Sequence, residues 1–411
     1  IISIYLHSIM NWIFLILFVV FIDYYSYQSI KNITKNRIVK YSYFTISFLI
    51  VFYFFYKYKI QDEGSYRTLA LGLLISFYSP KLILIIINFS EDFFRLIIAL
   101  GKPIFRFNKS FELPSRRKFI SKLGLGLASL PFFSLNFGMI WGKNNIKVLK
   151  YTLFFDDLPS SFDGYQLTQI SDIHAGNITS LNNLKHTIRL INSQNSDVIF
   201  FTGDLVNNEA VELTPWINTL SKLESKDGIF SILGNHDYGD YRSWPSEKEK
   251  IDNFNMIKQY QKDIGFDLLI NDSKYIQRGN QKLAIVGVEN WGNGFRKYGD
   301  LSKASEKIKS KDFKILLSHD PTHWEKKVLN EIDNYQLTLS GHTHGGQFGI
   351  EIPGYVKWSP VSWRYKYWAG IYKEKNKYIN VNRGLGTTAV PGRLGVWPEI
   401  TVITLKSTNN A

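Results

Sequence analysis

The chain has 411 residues, 45% of them hydrophobic, and 49 Lys and Arg against 35 Asp and Glu, a formal net charge of +14. That length excludes a single small core. With no cysteine, disulfides and thiolate metal sites are excluded, so any metal must be held by His, Asp, Glu, Asn or backbone oxygen.

The positive excess gathers beside apolar segments, which is a membrane pattern, and nucleic acid is not expected as a partner. The first methionine is Met10, and residues 1–9 are given no functional weight. Residues 10–22 and 41–56 are nearly uncharged and close to the ~20 residues that span a bilayer. A third apolar stretch, 68–89, holds Pro80 and Lys81 near its middle. It is expected to span with ill-defined limits, kinked or displaced toward Leu100. The fourth, 119–141, is milder and glycine-containing, closer to a signal-type hydrophobic region than to a rigid span.

Residues 1–146 are therefore expected to form an all-α anchor of about four transmembrane helices. Lys31, Lys35, Arg37 and Lys40 after the first span place that loop in the cytoplasm. Lys57, Lys59 and Arg67 are offset by Asp62 and Glu63, which places the second loop outside. Arg95, Lys102, Arg106, Lys109, Arg116, Arg117 and Lys118 bring the chain back inside before the fourth span. The remainder is then expected outside the cytoplasm, anchored in the cytoplasmic membrane. Ser115-Arg116-Arg117-Lys118-Phe119-Ile120-Ser121-Lys122 resembles a twin-arginine export signal. The simpler reading makes Arg116 and Arg117 positive-inside anchors.

From about residue 147 to 411 short β-rich runs alternate with amphipathic stretches, an α/β pattern. Strands are expected at 147–155, 165–171, 197–202, 229–233, 282–288, 313–318 and 335–340, and helices at 181–193 and 211–224. The strand ends carry the chemistry. Asp172 and His174 come after the second strand, Gly203 and Asp204 after the third, and Gly234-Asn235-His236-Asp237 after the fourth. His319 and Asp320, then Gly341-His342-Thr343-His344, come after the last two. Ligands of open α/β sheets gather at the carboxyl ends of strands, so these clusters are expected to converge.

A phosphate ester resists hydrolysis because its oxygens repel a nucleophile and its leaving oxygen gains charge. Two metal ions ~3.5–4 Å apart can neutralise both. Asp172, His174, Asp204, Asn235, His319, His342 and His344 supply the required carboxylates, imidazoles and amide. Residues i and i+2 of an extended run share a face, so the Asp-x-His and His-x-His pairs are expected each to aim at one ion. Each piece alone is weak, since Gly-Asp is commonly a turn and a lone histidine commonly structural. His7, His186 and His323 are expected to be structural.

Taken together, Asp172-Ile173-His174, Gly203-Asp204, Gly234-Asn235-His236-Asp237, His319 and Gly341-His342-Thr343-His344 resemble the blocks of the calcineurin-like metallophosphoesterase family. The resemblance runs over about residues 147–407. It is nearest to a branch of membrane-anchored bacterial phosphoesterases with twin-arginine-like leaders, some of which act on phosphodiesters or on the pyrophosphate of a UDP-diacylglucosamine. The fold it implies is a two-sheet β-sandwich flanked by helices.

It further implies that Asp172, His174 and His344 hold one metal, that Asn235, His319 and His342 hold the other, and that Asp204 bridges them. His236 is the implied catalytic residue, contacting the phosphoryl group or protonating the leaving oxygen. Where the family commonly has an Asp three residues after the bridging Asp, this chain has Asn207. An Asn could orient His236 but not stabilise its imidazolium. Such ligands suit two divalent ions of Mn, Fe or Zn.

The expected reaction is hydrolysis of a phosphodiester or pyrophosphate, with a lipid or envelope precursor as candidate substrate. The alternatives are a phosphomonoesterase or protein phosphatase, and a non-catalytic metal-binding membrane module. Trp358, Trp363, Tyr365, Tyr367 and Trp368, interleaved with Lys357, Arg364 and Lys366, suit a membrane interface, a stacked base or ordinary packing. Arg383 and Arg393 are candidates for clamping a second phosphate or for plain surface positions.

Overall fold

A computed structural model describes residues 2–59, 65–105, 114–352 and 354–408. Asp62, Glu63, Arg106 and Lys109 lie outside those residues, as do the side chains of His7, Met10, Lys102 and Ser115. The chain forms two compact units, one of residues 1–62 and 69–137 and the other chiefly of 138–411.

The first is built from α1 (Ile2–Lys31), α2 (Arg37–Lys59), α3 (Ser65–Phe105) and most of α4 (Pro114–Ile140). All four are long and apolar enough to cross a membrane. The third stretch is unbroken at Pro80 and continues past Leu100. Its 41 residues give a rod of ~60 Å at the α-helical rise, about twice a hydrocarbon core. Lys81 does not face lipid. It is buried with its Nζ donating to Asp23 Oδ1 at 2.6 Å and to Ser47 Oγ, the inward pairing expected of an intramembrane charge. The mild fourth stretch forms a continuous helix of 27 residues. Near its start the Arg116 guanidinium stacks on Phe94, and Arg117 lies 3.9 Å from Asp92.

The second unit opens with β1 (Lys147–Phe155), β2 (Gln166–Ile170), β3 (Val198–Phe201), β4 (Ile229–Ser231), β5 (Asp267–Leu268), β6 (Asp272–Arg278) and β7 (Gln281–Gly287). It continues with β8 (Lys314–Leu317), β9 (Leu337–Ser340), β10 (Ile350–Ile352), β11 (Val356–Trp358), β12 (Gly370–Glu374), β13 (Lys377–Val381) and β14 (Glu399–Ser407). Among the described residues these make two six-stranded sheets, ordered β1-β14-β2-β3-β4-β5 and β12-β13-β9-β8-β7-β6, and a separate β10-β11 ribbon. The central pairs β2-β3, β3-β4, β7-β8 and β8-β9 are parallel.

Those central strands are apolar on both faces because both faces are covered. Val198 and Phe200 of β3 join Leu317 of β8 and Leu339 of β9 in the core between the sheets. Ile199 and Phe201, one residue out of phase, pack instead with Ile188 and Ile191 of α5 (Leu181–Asn192). Leu316 of β8 likewise faces outward, in a third cluster with Trp324. The result is a helix, sheet, sheet, helix sandwich with the parallel strand ends aligned along one edge.

The expected helix over 211–224 does not form. Residues 210–213 make one tight turn, and only α6 (Ile217–Leu220) comes after it. Pro215 cannot donate a backbone hydrogen bond. Glu212 turns back, its carboxylate accepting the backbone N–H groups of Gly176, Asn207, Asn208 and Glu209. The 18-residue α7 (Glu247–Ile264) instead helps cover this face, capped by Ser246 at its start and by Gly265 at φ 97° at its end.

Phe200→Ala, which hollows the core between the sheets, is expected to cost about 3–5 kcal/mol. Ile332→Ser, at a fully exposed position, should change stability by no more than about 0.5 kcal/mol. Thermal unfolding of the full chain in detergent measures both, and equal midpoints for the two variants would contradict this core.

Candidate metal centre

The five strand-end loops meet at one place. Asp172 and His174 follow β2, Asp204 follows β3, Asn235 and His236 follow β4, His319 follows β8, and His342 and His344 follow β9. Three groups of donors form there: Asp172, His174 and His344; His174, Asp204 and His236; Asp204, His319 and His342. Asn235 Oδ1 joins them, 3.1 Å from His319 and 2.7 Å from His342. All seven expected donors are therefore together, with Asp172, His174, Asp204, Asn235, His319 and His344 buried and His236 at the rim.

Asp172 and His174 converge on one donor group as expected, whereas His342 and His344 fall in different groups, and neither pair is arranged by strand alternation. Asp172, His174, Asp204, His342 and His344 all have positive φ, between 48° and 71°, so these loops are not extended. Non-glycine residues in that region cost ~1–3 kcal/mol each and cluster at functional sites. Paired left-handed residues turn both side chains inward just as alternation would.

Asp237 holds the strained loops. Its buried carboxylate accepts the backbone N–H groups of Asp204 at 3.0 Å, Leu205 at 2.8 Å, Val206 at 3.3 Å and Gly234 at 2.9 Å, tying the β3 loop to the β4 loop. Gly203 and Gly234 let those loops touch: a Cβ on Gly234 would meet Asp204 Oδ1 at 2.2 Å. The His342 N–H is 3.1 Å from both Asp172 oxygens, joining the first cluster to the last.

Atoms bound to one ion at ~2.0–2.2 Å must lie about 3–3.5 Å from one another. Here His174 Nε2 is 3.0 Å from His344 Nε2, which is 3.4 Å from Asp172 Oδ1. Around the second point, His319 Nε2 is 3.1 Å from both Asp204 Oδ2 and Asn235 Oδ1, and His342 Nδ1 is 2.7 Å from the same amide oxygen. Asp204 Oδ2 is also 3.7 Å from His174 Nε2, so one carboxylate faces both groups. The donors fit two cations.

Outer partners fix each ring. His319 Nδ1 donates to the Thr202 carbonyl at 2.7 Å, and His174 Nδ1 to Asn207 Oδ1 at 3.0 Å, leaving each Nε2 lone pair aimed inward. His342 presents Nδ1, with Nε2 2.8 Å from the Tyr365 hydroxyl and 3.4 Å from Asp320 Oδ2. Asn207 orients His236 as well, through its backbone: His236 Nδ1 donates to the Asn207 carbonyl at 2.8 Å. The side chain at position 207 thus serves His174, not His236.

Burial pushes His174 down to about 3 and His342 down to about 4, keeping the rings neutral as ligation requires. It also raises the Asp172 carboxyl to about 7, with Asp204 adding to the rise. Burial opposes charge on His319, but Asp204 and Asp172 outweigh it and lift that imidazole to about 10.

Asp237 and Asp320 are expected only as members of strand-end clusters and Tyr365 only as one of the aromatic group; the site uses all three as partners that hold its loops and rings. His323 lies outside the site, bonded to Ser318 and packed on Trp291, and His186 is exposed on α5. Neither candidate clamp is free. Arg383 is buried against Glu399 and Glu351, and Arg393 is buried with its donors on the carbonyls of His344, Gly384 and Gly386. Of the aromatic cluster, Tyr365, Tyr367 and Trp368 are core residues, while Trp358 and Trp363 are exposed.

Residues 165–346 match the family described as calcineurin-like phosphoesterase, and residues 10–143 match one described as probable calcineurin-like phosphoesterase, transmembrane domain. The chain is 34% identical over 273 residues to the uncharacterized metallophosphoesterase YkuE of Bacillus subtilis, covering 64% of this chain and 87% of that protein. It is 25% identical over 401 residues to an uncharacterized metallophosphoesterase of Helicobacter pylori strain J99, covering 95% and 96%. A Danio rerio transmembrane protein with metallophosphoesterase domain is 26% identical over 281 residues, and the chain spans 60% of its length.

Protons compete with a cation for these ligands. His319 sheds its proton only as pH rises through about 10, and Asp172 regains its own as pH falls through about 7, so affinity for added Mn should rise with pH across neutrality and weaken further below about 7. Equilibrium metal titration checks this, and constant affinity across neutrality would contradict it.

Proposed function

The chain belongs to the calcineurin-like metallophosphoesterase family and is a metal-dependent phosphoester hydrolase with a membrane region of four apolar helices. From that premise we propose that it cleaves a phosphodiester or pyrophosphate bond in a lipid or envelope precursor, such as a UDP-diacylglucosamine, outside the cytoplasm. In this reading Asp172, His174 and His344 hold one ion, Asn235, His319 and His342 hold the other, and Asp204 is shared. The observation that carries it is the position of Asp204 Oδ2 between His319 and His174. Two ions of Mn, Fe or Zn held there would neutralise phosphate charge and activate the attacking water.

The protein's own groups do the rest. His236, held by a carbonyl on Nδ1, has its other nitrogen free to face the leaving oxygen and give it a proton. Tyr365 and Asp320 keep His342 in one orientation. The exposed Arg364 lies over Phe295 and Tyr365, and both of those rings contact His342. It stands where a second phosphate of the substrate can be met. The segment carrying Arg116 and Arg117 supports export by its resemblance to a twin-arginine signal, and the loop charges support the same side.

The full chain in detergent, given Mn, should hydrolyse a chromogenic phosphodiester or a UDP-linked lipid faster than a phosphomonoester. His342→Ala should lose more than the ~10–100-fold that an outer-shell change costs. Faster monoester turnover would favour a phosphomonoesterase or protein phosphatase, and no turnover by metal-loaded chain would favour a non-catalytic module. Orientation has its own check. The cysteine-free chain carrying Ile332→Cys should react with a membrane-impermeant thiol reagent in intact cells, and labelling only after lysis would reverse the topology.

A further inference from the structure

The β10-β11 ribbon is inverted. Its register pairs Ile350 with Trp358, Glu351 with Lys357 and Ile352 with Val356. Cross-strand partners and alternate residues share a face, so Ile350, Ile352, Val356 and Trp358 line one side and Glu351 and Lys357 the other. The polar side is the one fastened down. Glu351 pairs with Arg383 at 2.6 Å, and Lys357 donates to the Ala369 carbonyl and lies over Trp368. The four apolar residues point outward and are 43–52% exposed. Tyr355, at 89%, and Trp363, at 80%, extend the same surface, the latter ring 5.9 Å from Trp358.

We infer that this ribbon and the turn after it form a membrane-docking surface that seats at the boundary between lipid headgroups and acyl chains. An apolar ribbon left in water is an aggregation hazard, and three features select a bilayer to cover it. Trp and Tyr with aliphatic neighbours, flanked by exposed Arg364 and Lys366, match the aromatic belt and the anionic headgroups. The bilayer is also at hand, because only residues 141–146 separate the end of α4 from β1, a leash of at most ~20 Å. A stable protein interface needs roughly 20–30 residues a side, and this surface offers far fewer.

Docking would bear on the metal centre directly. The excursion that carries the ribbon leaves from His342 and returns at Tyr365, whose hydroxyl is 2.8 Å from His342 Nε2. Seating it would hold the mouth of the site at headgroup depth, where lipid phosphoesters lie. Docking of this surface is independent of which substrate the site takes, and it is measured without turnover.

Because the chain has no cysteine, Tyr355→Cys and Trp363→Cys each give one site for an environment-sensitive dye. The full chain would be placed singly in lipid nanodiscs, with Ile332→Cys as the control. Docking at ~5–10 Å depth predicts quenching of both probes by nitroxide lipids, stronger from a nitroxide near the headgroup than from one at the chain end. Both probes should resist iodide, while the control stays open to iodide and untouched by nitroxide. Adding Ile352→Asp and Val356→Asp, with an unchanged unfolding midpoint, should abolish the lipid quenching at position 363.

Iodide access at 355 and 363 equal to the control would overturn the inference. So would quenching that survives the two Asp substitutions. Shielding without lipid quenching, seen only with two chains per disc, would assign the surface to a second copy and overturn it as well.

Discussion

Two carboxylates and five imidazoles share one buried edge of the sandwich, and such a cluster is repulsive unless protons or cations sit between its members. Asp172 and Asp204 are wholly desolvated, and His174 and His344 point nitrogen at nitrogen across 3.0 Å. A buried polar group without a partner costs more than one that was never placed there. The arrangement therefore makes sense as a cage for cations, and much of the surrounding structure exists to hold it. Left-handed backbone at Asp172, His174, Asp204, His342 and His344 stores strain in the loops, while the convergence of Asp237 on four N–H groups and the close approach of Gly203 to Gly234 hold them together. The apolar core between the sheets keeps those loops from relaxing.

A second consequence is the economy of outer partners. Each imidazole of the two sets can ligate through only one nitrogen, so its other nitrogen must be held or the ring turns. Thr202 does this for His319 with a backbone carbonyl, Tyr365 for His342 with a hydroxyl, and Asn207 for His174 with an amide. Asn207 serves twice, since its carbonyl also receives His236. Glu212 in turn binds the Asn207 backbone N–H, which explains why the chain gives up a helix there to keep a carboxylate pointing backward.

The parallel strands were legible because burial on both faces makes them apolar runs, and each run ends abruptly in Asp, His or Gly. The convergence of these donor residues was legible for the same reason. Other features depend on contacts between residues far apart in sequence. Nothing local says that β14 inserts between β1 and β2, that Arg383 is consumed by Glu351 and Glu399, or that Tyr365 closes on His342. The 211–224 stretch misled because its apolar spacing is helical, while Pro215 and the reach of Glu212 to Gly176 decide the backbone. The ribbon was not expected from the sequence, and only the anchoring of Glu351 and Lys357 shows which of its faces is turned out.

Charge connects the centre to its substrate. Asp237 and Asp320 stand beside Asp172 and Asp204, so two divalent ions held there would be largely balanced by four carboxylates, and exposed Arg364 supplies further positive charge nearby. In the proposed reading Arg364 is the group that would meet a second phosphate charge of the substrate. On the same reading, substrate selection would divide between two surfaces joined by a single excursion of chain, the buried cage and Arg364 meeting phosphate and the outward apolar face of β10-β11 meeting the membrane. A diphosphate attached to a lipid would then engage both, whereas a soluble phosphomonoester would engage the cage alone.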